Sequence, residues 1–193
     1  MQGNKMQKPT GAETVSRAVL VIDVQSCLCE GRYETFESAR IIDRINQVTS
    51  RARVAGVLVV IIQHESKSGP LAYGSQGWQL APALHTAATD TLLRKTTADS
   101  FHITELDALL KRSAVTELVI CGMQTDFCVD TTTRRALALG YPVVLVSDGH
   151  TTLNNKHLSA NQIIEHHNET LSNISSFGPV VRLECAQEVR FVA

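Results

Sequence analysis

No sign of charge dominates this sequence. Lys and Arg number 18 and Asp and Glu 19, for a net charge of -1, and neither sign is gathered into a block. A nucleic acid or an anionic membrane is therefore not expected as the main partner. Long apolar runs are missing as well. The longest, Val54 to Ile62 with one Gly inside it, is too short to cross a bilayer. Cysteine is sparse and odd in number: Cys27, Cys29, Cys121, Cys128 and Cys185. In a chain of 193 residues with no visible signal peptide, that count argues for reduced thiols and a cytoplasmic setting, not a disulfide framework. Cys27 and Cys29 lack the second pair that a zinc site would use. Cys121 and Cys185 adjoin apolar strand residues and read as buried small hydrophobes. Internal repeats and low-complexity tracts are absent. Met1 to Ser16 is polar and reads as a flexible arm, residues 1–16, ahead of one domain over residues 17–193 that is long enough for a sizeable core.

What is present is a rhythm of strands and helices. Ala18 to Ile22, Val57 to Ile62, Leu118 to Ile120 and Val143 to Val146 are nearly all apolar and rich in β-branched residues. Continuous apolar runs, as opposed to alternating ones, mark strands covered on both faces. Thr91 to Arg94 and Val180 to Leu183 are weaker strand candidates. Helical spacing occupies Phe36 to Val54, Thr104 to Lys111 with Thr104 as N-cap, Thr125 to Leu139 ending at Gly140, and Ser159 to Leu171. The alternation predicts a single-domain, three-layer, Rossmann-like α/β fold, with a mostly parallel sheet of about six strands and helices on both faces. One long connection, Gln63 to Asp90, interrupts the rhythm and is a candidate functional loop. In such sheets, sites lie beyond the carboxyl ends of the strands. Asp23, His64, Lys95 and Cys128 each follow a strand, so all four are expected on one edge.

The stretch Cys121-Gly122-Met123-Gln124-Thr125-Asp126-Phe127-Cys128-Val129 joins an apolar strand to a helix. Unpaired N–H groups and a positive dipole at a helix start favour a thiolate over a thiol, and the same N–H groups can hold an oxyanion. Cys128 is thus a candidate nucleophile. Asp23 is placed to take its proton and Lys95 to hold both anions. Such a carboxylate could return the proton to a leaving amine and then activate water.

Taken together, Val19-Leu20-Val21-Ile22-Asp23-Val24-Gln25, then Lys95 with Ser100-Phe101 and Thr104-Glu105-Leu106, then Cys121-Gly122 through Thr125-Asp126-Phe127-Cys128-Val129 to Thr132-Thr133-Arg134 and Ala136, resemble the isochorismatase-like cysteine hydrolase superfamily, which includes nicotinamidases and N-carbamoylsarcosine amidohydrolases. The resemblance runs from about Arg17 to Leu183. It implies an Asp23-Lys95-Cys128 triad, a cis Met123–Gln124 peptide, and an oxyanion hole made by the backbone N–H groups of Gln124 and Cys128. It also implies a homo-oligomer, dimer or larger, acting on a small-molecule substrate. The chain departs from the pattern in two places. Asp99 stands in the first slot of the Ser-Ala-Phe that often follows the lysine. After the second strand the chain reads Gln63-His64-Glu65-Ser66, where nicotinamidases carry an Asp-x-His metal motif. No metal and no other cofactor is expected on that account. His64, Trp78 and Phe127 are candidate lining residues of the substrate pocket. The plainer readings are a structural histidine, a loop-packing tryptophan and a subunit contact. His166-His167-Asn168 reads as a helix end, since adjacent helical positions point apart, and Asp148 as a loop anchor. The expected activity is cysteine-dependent hydrolysis of an amide, ureido or carbamoyl C–N bond. Vinyl-ether hydrolysis of the isochorismatase type, and a ligand-binding member without catalysis, stand as alternatives.

Overall fold

The computed structural model describes residues 15–191. Most of the expected N-terminal arm lies outside them. Of its last two residues, Ser16 is tied down: its carbonyl accepts from the N–H groups of Thr116 and Glu117. Six strands form one sheet: β1 Arg17–Ile22, β2 Leu58–His64, β3 Thr91–Lys95, β4 Glu117–Met123, β5 Val143–Thr151 and β6 Val181–Glu184. Their order is β3-β2-β1-β4-β5-β6, and every neighbouring pair is parallel. The helices are α1 Ser26–Cys29, α2 Ser38–Val54, α3 Leu106–Arg112, α4 Asp130–Ala138 and α5 Ala160–Ser172. Among the described residues no helix is long and apolar enough to cross a membrane.

Alternate strand residues feed two separate cores. Val19 and Val21 join Ile41, Ile45 and Val48 of α2 on one face. Ala18, Leu20 and Ile22 join Leu106 of α3, Ala136 of α4 and Leu171 of α5 on the other. Helices therefore cover both faces, as apolar strands with no polar alternation require. The two weaker strand candidates prove to be the edges, where one side of the strand has no neighbour and polar side chains are tolerated.

Several boundaries differ from the sequence reading. Phe36 lies ahead of α2, which starts after Glu37, a residue at φ 50°. Thr104 precedes the helix by two residues; its hydroxyl accepts from the Leu106 N–H at 3.3 Å and donates to the Ser100 carbonyl at 2.7 Å. The helix expected over 125–139 is two pieces, a π-helical turn at Thr125–Val129 and then α4. The sequence carries no signal for that split, since i→i+5 and i→i+4 turns bury the same side chains over one turn.

Between β4 and β5 the pairing shifts. Ile120 faces Leu145, but Gly122 faces His150, so five residues of β5 advance against two of β4. Gly122 itself is at φ 121°, and a Cβ there would lie 2.1 Å from the Ile22 carbonyl oxygen.

Candidate active site

Three strand ends deliver the central side chains. Asp23 follows β1 at φ 52°, a conformation that Asp tolerates better than most residues. It is buried, and its N–H donates to the Ile62 carbonyl of β2. Lys95 closes β3 and is equally buried. Cys128 is the fourth residue of the π-helical turn after β4. The Lys95 ammonium donates to Asp23 Oδ2 at 2.7 Å, to Cys128 Sγ at 3.1 Å and to the Thr97 carbonyl at 3.1 Å. An ammonium has three donors, and all three are used. Burial pulls Lys95 down, but Asp23 and Cys128 outweigh it and hold the ammonium above its ordinary range.

The expectation of a ready thiolate is corrected. Burial, with the Asp23 carboxylate beside it, pushes the Cys128 thiol up to about 12 against the opposing pull of Lys95. Desolvation disfavours the charged form more than one cation compensates. Before substrate arrives, then, sulfur keeps its proton. The second carboxylate oxygen, Asp23 Oδ1, is buried and has no hydrogen-bond partner among the described residues.

His64, the last residue of β2, reaches the same place. Metal-ligating atoms of Asp23, His64 and Cys128 lie within 4.8 Å of one another. Burial, followed by the Lys95 charge, lowers the His64 pKa, so its ring is neutral at neutral pH. These donor types suit a soft divalent ion, yet the site fits one poorly. The Lys95 ammonium already touches two of the three, and a second cation there would be repelled.

The Met123–Gln124 peptide is cis. The Gln124 carbonyl accepts from the Phe127 and Val129 N–H groups at 3.2 and 3.1 Å. The Gln124 N–H has no protein acceptor among the described residues. Trp78 sits in the long loop; its ring packs edge-on against Tyr73 at 4.9 Å, and its carbonyl accepts from the side chains of Gln25 and Gln63. Its Nε1 is buried without a partner among the described residues. Phe127 is 56% exposed, so on a single chain its ring stands at the surface. His166, His167 and Asn168 lie inside α5 and not at its end, and each side chain has a separate partner: Thr170, the Ile163 carbonyl, and His150. Asp148 does anchor a loop, accepting from the Ala186 N–H at 2.6 Å.

One residue of consequence was not singled out from sequence. Gln25 is fully buried, and its amide both donates to the His64 carbonyl and accepts from the His64 N–H. It also donates to the Trp78 carbonyl at 2.8 Å, so one side chain stitches β1, β2 and the long loop together. The only hint is a polar residue set directly after an apolar strand, which turns share.

A profile of the isochorismatase domain matches residues 17–184, and the chain belongs to the isochorismatase family. A streptothricin hydrolase of Streptomyces noursei is 41% identical over 137 residues, which is 70% of this chain and 50% of that protein. The chain thus spans about half the length of that relative. A nicotinamidase of Escherichia coli strain K12 is 27% identical over 174 residues, covering 69% of this chain and 82% of its own. A crystal structure of an isochorismatase family protein superposes with a TM-score of 0.79 at 38% identity, over 87% of this chain and 97% of the other.

Proposed function

We propose that the protein is a cysteine hydrolase that opens a C–N bond of a small molecule through a thioester, with Asp23, Lys95 and Cys128 as its triad. The observation that carries this reading is the single ammonium shared by Asp23 Oδ2 and Cys128 Sγ, with Asp23 Oδ1 unpartnered among the described residues. Asp23 takes the thiol proton as sulfur attacks the carbonyl carbon. The C=O π pair moves to oxygen, and the Gln124 and Cys128 N–H groups hold that oxyanion. Collapse breaks the C–N bond, and Asp23 gives the proton to the leaving nitrogen. Water then adds to the thioester with Asp23 as base. The acid leaves, sulfur regains a proton, and the site is restored. Because the thiol is protonated before substrate binds, attack and proton transfer to Asp23 belong to one step.

Lys95 is held from both sides, so its charge offsets the anion that passes between sulfur and carboxylate. Neutral His64 offers a hydrogen-bonding group to the substrate, and Trp78 Nε1 a donor. Phe127 would form the rim. The departure at Gln63-His64-Glu65 and the position of Lys95 both favour chemistry without a metal. Streptothricin and nicotinamide, which the relatives' names specify, are the first substrates to try, followed by ureido and carbamoyl compounds. Amine or ammonia release by the parent, and its loss in Cys128→Ala, test the reading. Turnover that survives in Cys128→Ala would point to vinyl-ether cleavage or another thiol-free reaction. No turnover of any such compound, with binding intact, would favour a non-catalytic member.

A further inference from the structure

Behind the turn that carries Cys128 runs a chain of polar side chains, buried at its inner end, that the proposed chemistry does not use. The Ser147 carbonyl accepts from Asn168 Nδ2 at 3.0 Å. His150 Nε2 lies 3.0 Å from Asn168 Oδ1, and His150 Nδ1 lies 2.9 Å from Thr125 Oγ1. His150 and Thr125 are both fully buried.

The direction of every bond in this chain follows from its first member. A carbonyl only accepts, so Asn168 must present Nδ2 to Ser147 and Oδ1 to His150. Oδ1 also only accepts, so the His150 proton sits on Nε2. Nδ1 is then a bare lone pair and receives the Thr125 hydroxyl proton. The charged groups around the ring agree with a neutral imidazole. Burial opposes a charge on the ring, and the Asn168 hydrogen bond and Asp148 of β5 only partly offset it.

The sheet is distorted to build this chain. Had β4 and β5 kept register past Ile120 and Leu145, Gly122 would face Ser147. The shift brings His150 opposite Gly122 instead. Thr125, three residues on, opens the π-helical turn that holds Gln124 at one end and Cys128 near the other. The hydroxyl of Thr125 therefore pins the start of the segment whose N–H groups would face an oxyanion.

We propose that His150, as the Nε2–H tautomer held by Asn168 and Ser147, is a positioning residue that acts through Thr125 to aim the Gln124 and Cys128 N–H groups at the oxyanion. This rests on the thioester reading, and two probes of one thiol separate the two. Acylation of Cys128 by p-nitrophenyl acetate builds an oxyanion; alkylation by iodoacetamide does not. Thr125→Val keeps the shape and removes the hydroxyl. It should slow the p-nitrophenolate burst at least about tenfold while alkylation of Cys128 changes less than about threefold. Thr125→Ser should restore the burst. In the parent, imidazole 15N shifts should show His150 protonated on Nε2 alone. An unchanged burst in Thr125→Val, an equal fall in both rates, or His150 protonated on Nδ1 would overturn the proposal. A parent with no Cys128-dependent burst would instead overturn the thioester reading, and the 15N shifts would still decide the relay.

Discussion

Lys95 is the residue on which the site balances, because it spends every donor it has within one small cluster. Lys95→Met should leave buried Asp23 and Cys128 without the cation they share and lower turnover by roughly 10³-fold or more, and Cys128→Ala and Asp23→Asn should be comparably damaging, since members of one unit do not act additively. Steady-state rates on the first substrate found will check this. Asp23→Asn carries a second, opposite expectation. After burial, the Asp23 charge is the larger force holding the Cys128 thiol up. Removing it should lower that pKa and speed iodoacetamide alkylation at pH 8 even as turnover is lost. Slower alkylation than the parent would contradict that electrostatic assignment. His150 sets a separate pH dependence. Burial pushes it down to about 4 from an ordinary 6.5. Between those values the unfolded chain binds a proton that the folded chain does not, so stability falls as pH drops from about 6.5 to about 4. The loss amounts to about 3 kcal/mol at most, since each tenfold change in proton affinity is worth about 1.4 kcal/mol. Urea unfolding across that window should show it, and His150→Asn should remove it.

At the scale of elements, the legible parts were those built by repetition. Four apolar runs became β1, β2, β4 and β5 because burial on two faces leaves no choice of residue type. Asp23, Lys95 and Cys128 could be placed on one edge because parallel strands all end there. What stayed hidden was local. The single turn α1 has no periodicity to read, and it is held by the Gly77 and Gln79 carbonyls of the distant loop. The shift between β4 and β5, and with it the burial of His150, depends on a glycine whose neighbour is another strand's backbone. Thr125 gave no signal, and Gln25 and Asn168 gave little, because a buried polar residue and a surface one are written with the same letter. Two substitutions test these elements. Gly122→Ala would force a methyl into the Ile22 backbone and should destabilise the fold by about 4 kcal/mol or more; thermal unfolding measures it. Ser159 and Gln162 close a capping box at the start of α5, so Ser159→Ala should cost about 1 kcal/mol. That smaller loss serves as a control for helix stability away from the site.

For the whole molecule, the outer edge of the sheet is its least finished surface. Leu92 of β3 is 62% exposed, Ile103 89% and Tyr73 64%. Leu92 and Ile103 border a cavity of about 470 Å³ with Glu65, Arg94, Glu105 and Arg112 around it. Apolar surface ringed by charges of both signs suits a two-fold contact, in which each sign meets its opposite on a second copy. We expect a homodimer through this edge. Light scattering should give twice the 21.1 kDa of one chain, and Leu92→Arg should reduce it to one. A monomeric parent at micromolar concentration would count against this assembly.

The ammonium that joins three strand ends also ties function to the order of events in folding. Lys95 and Asp23 are 72 residues apart, and Lys95 and Cys128 are 33 apart. Parallel pairing of distant segments is slow, because loop closure precedes any gain from contact. Under the proposed thioester chemistry, activity would not return until β3, β1 and β4 have all docked. In a refolding experiment, recovered activity should lag the helical signal and report completion of the sheet.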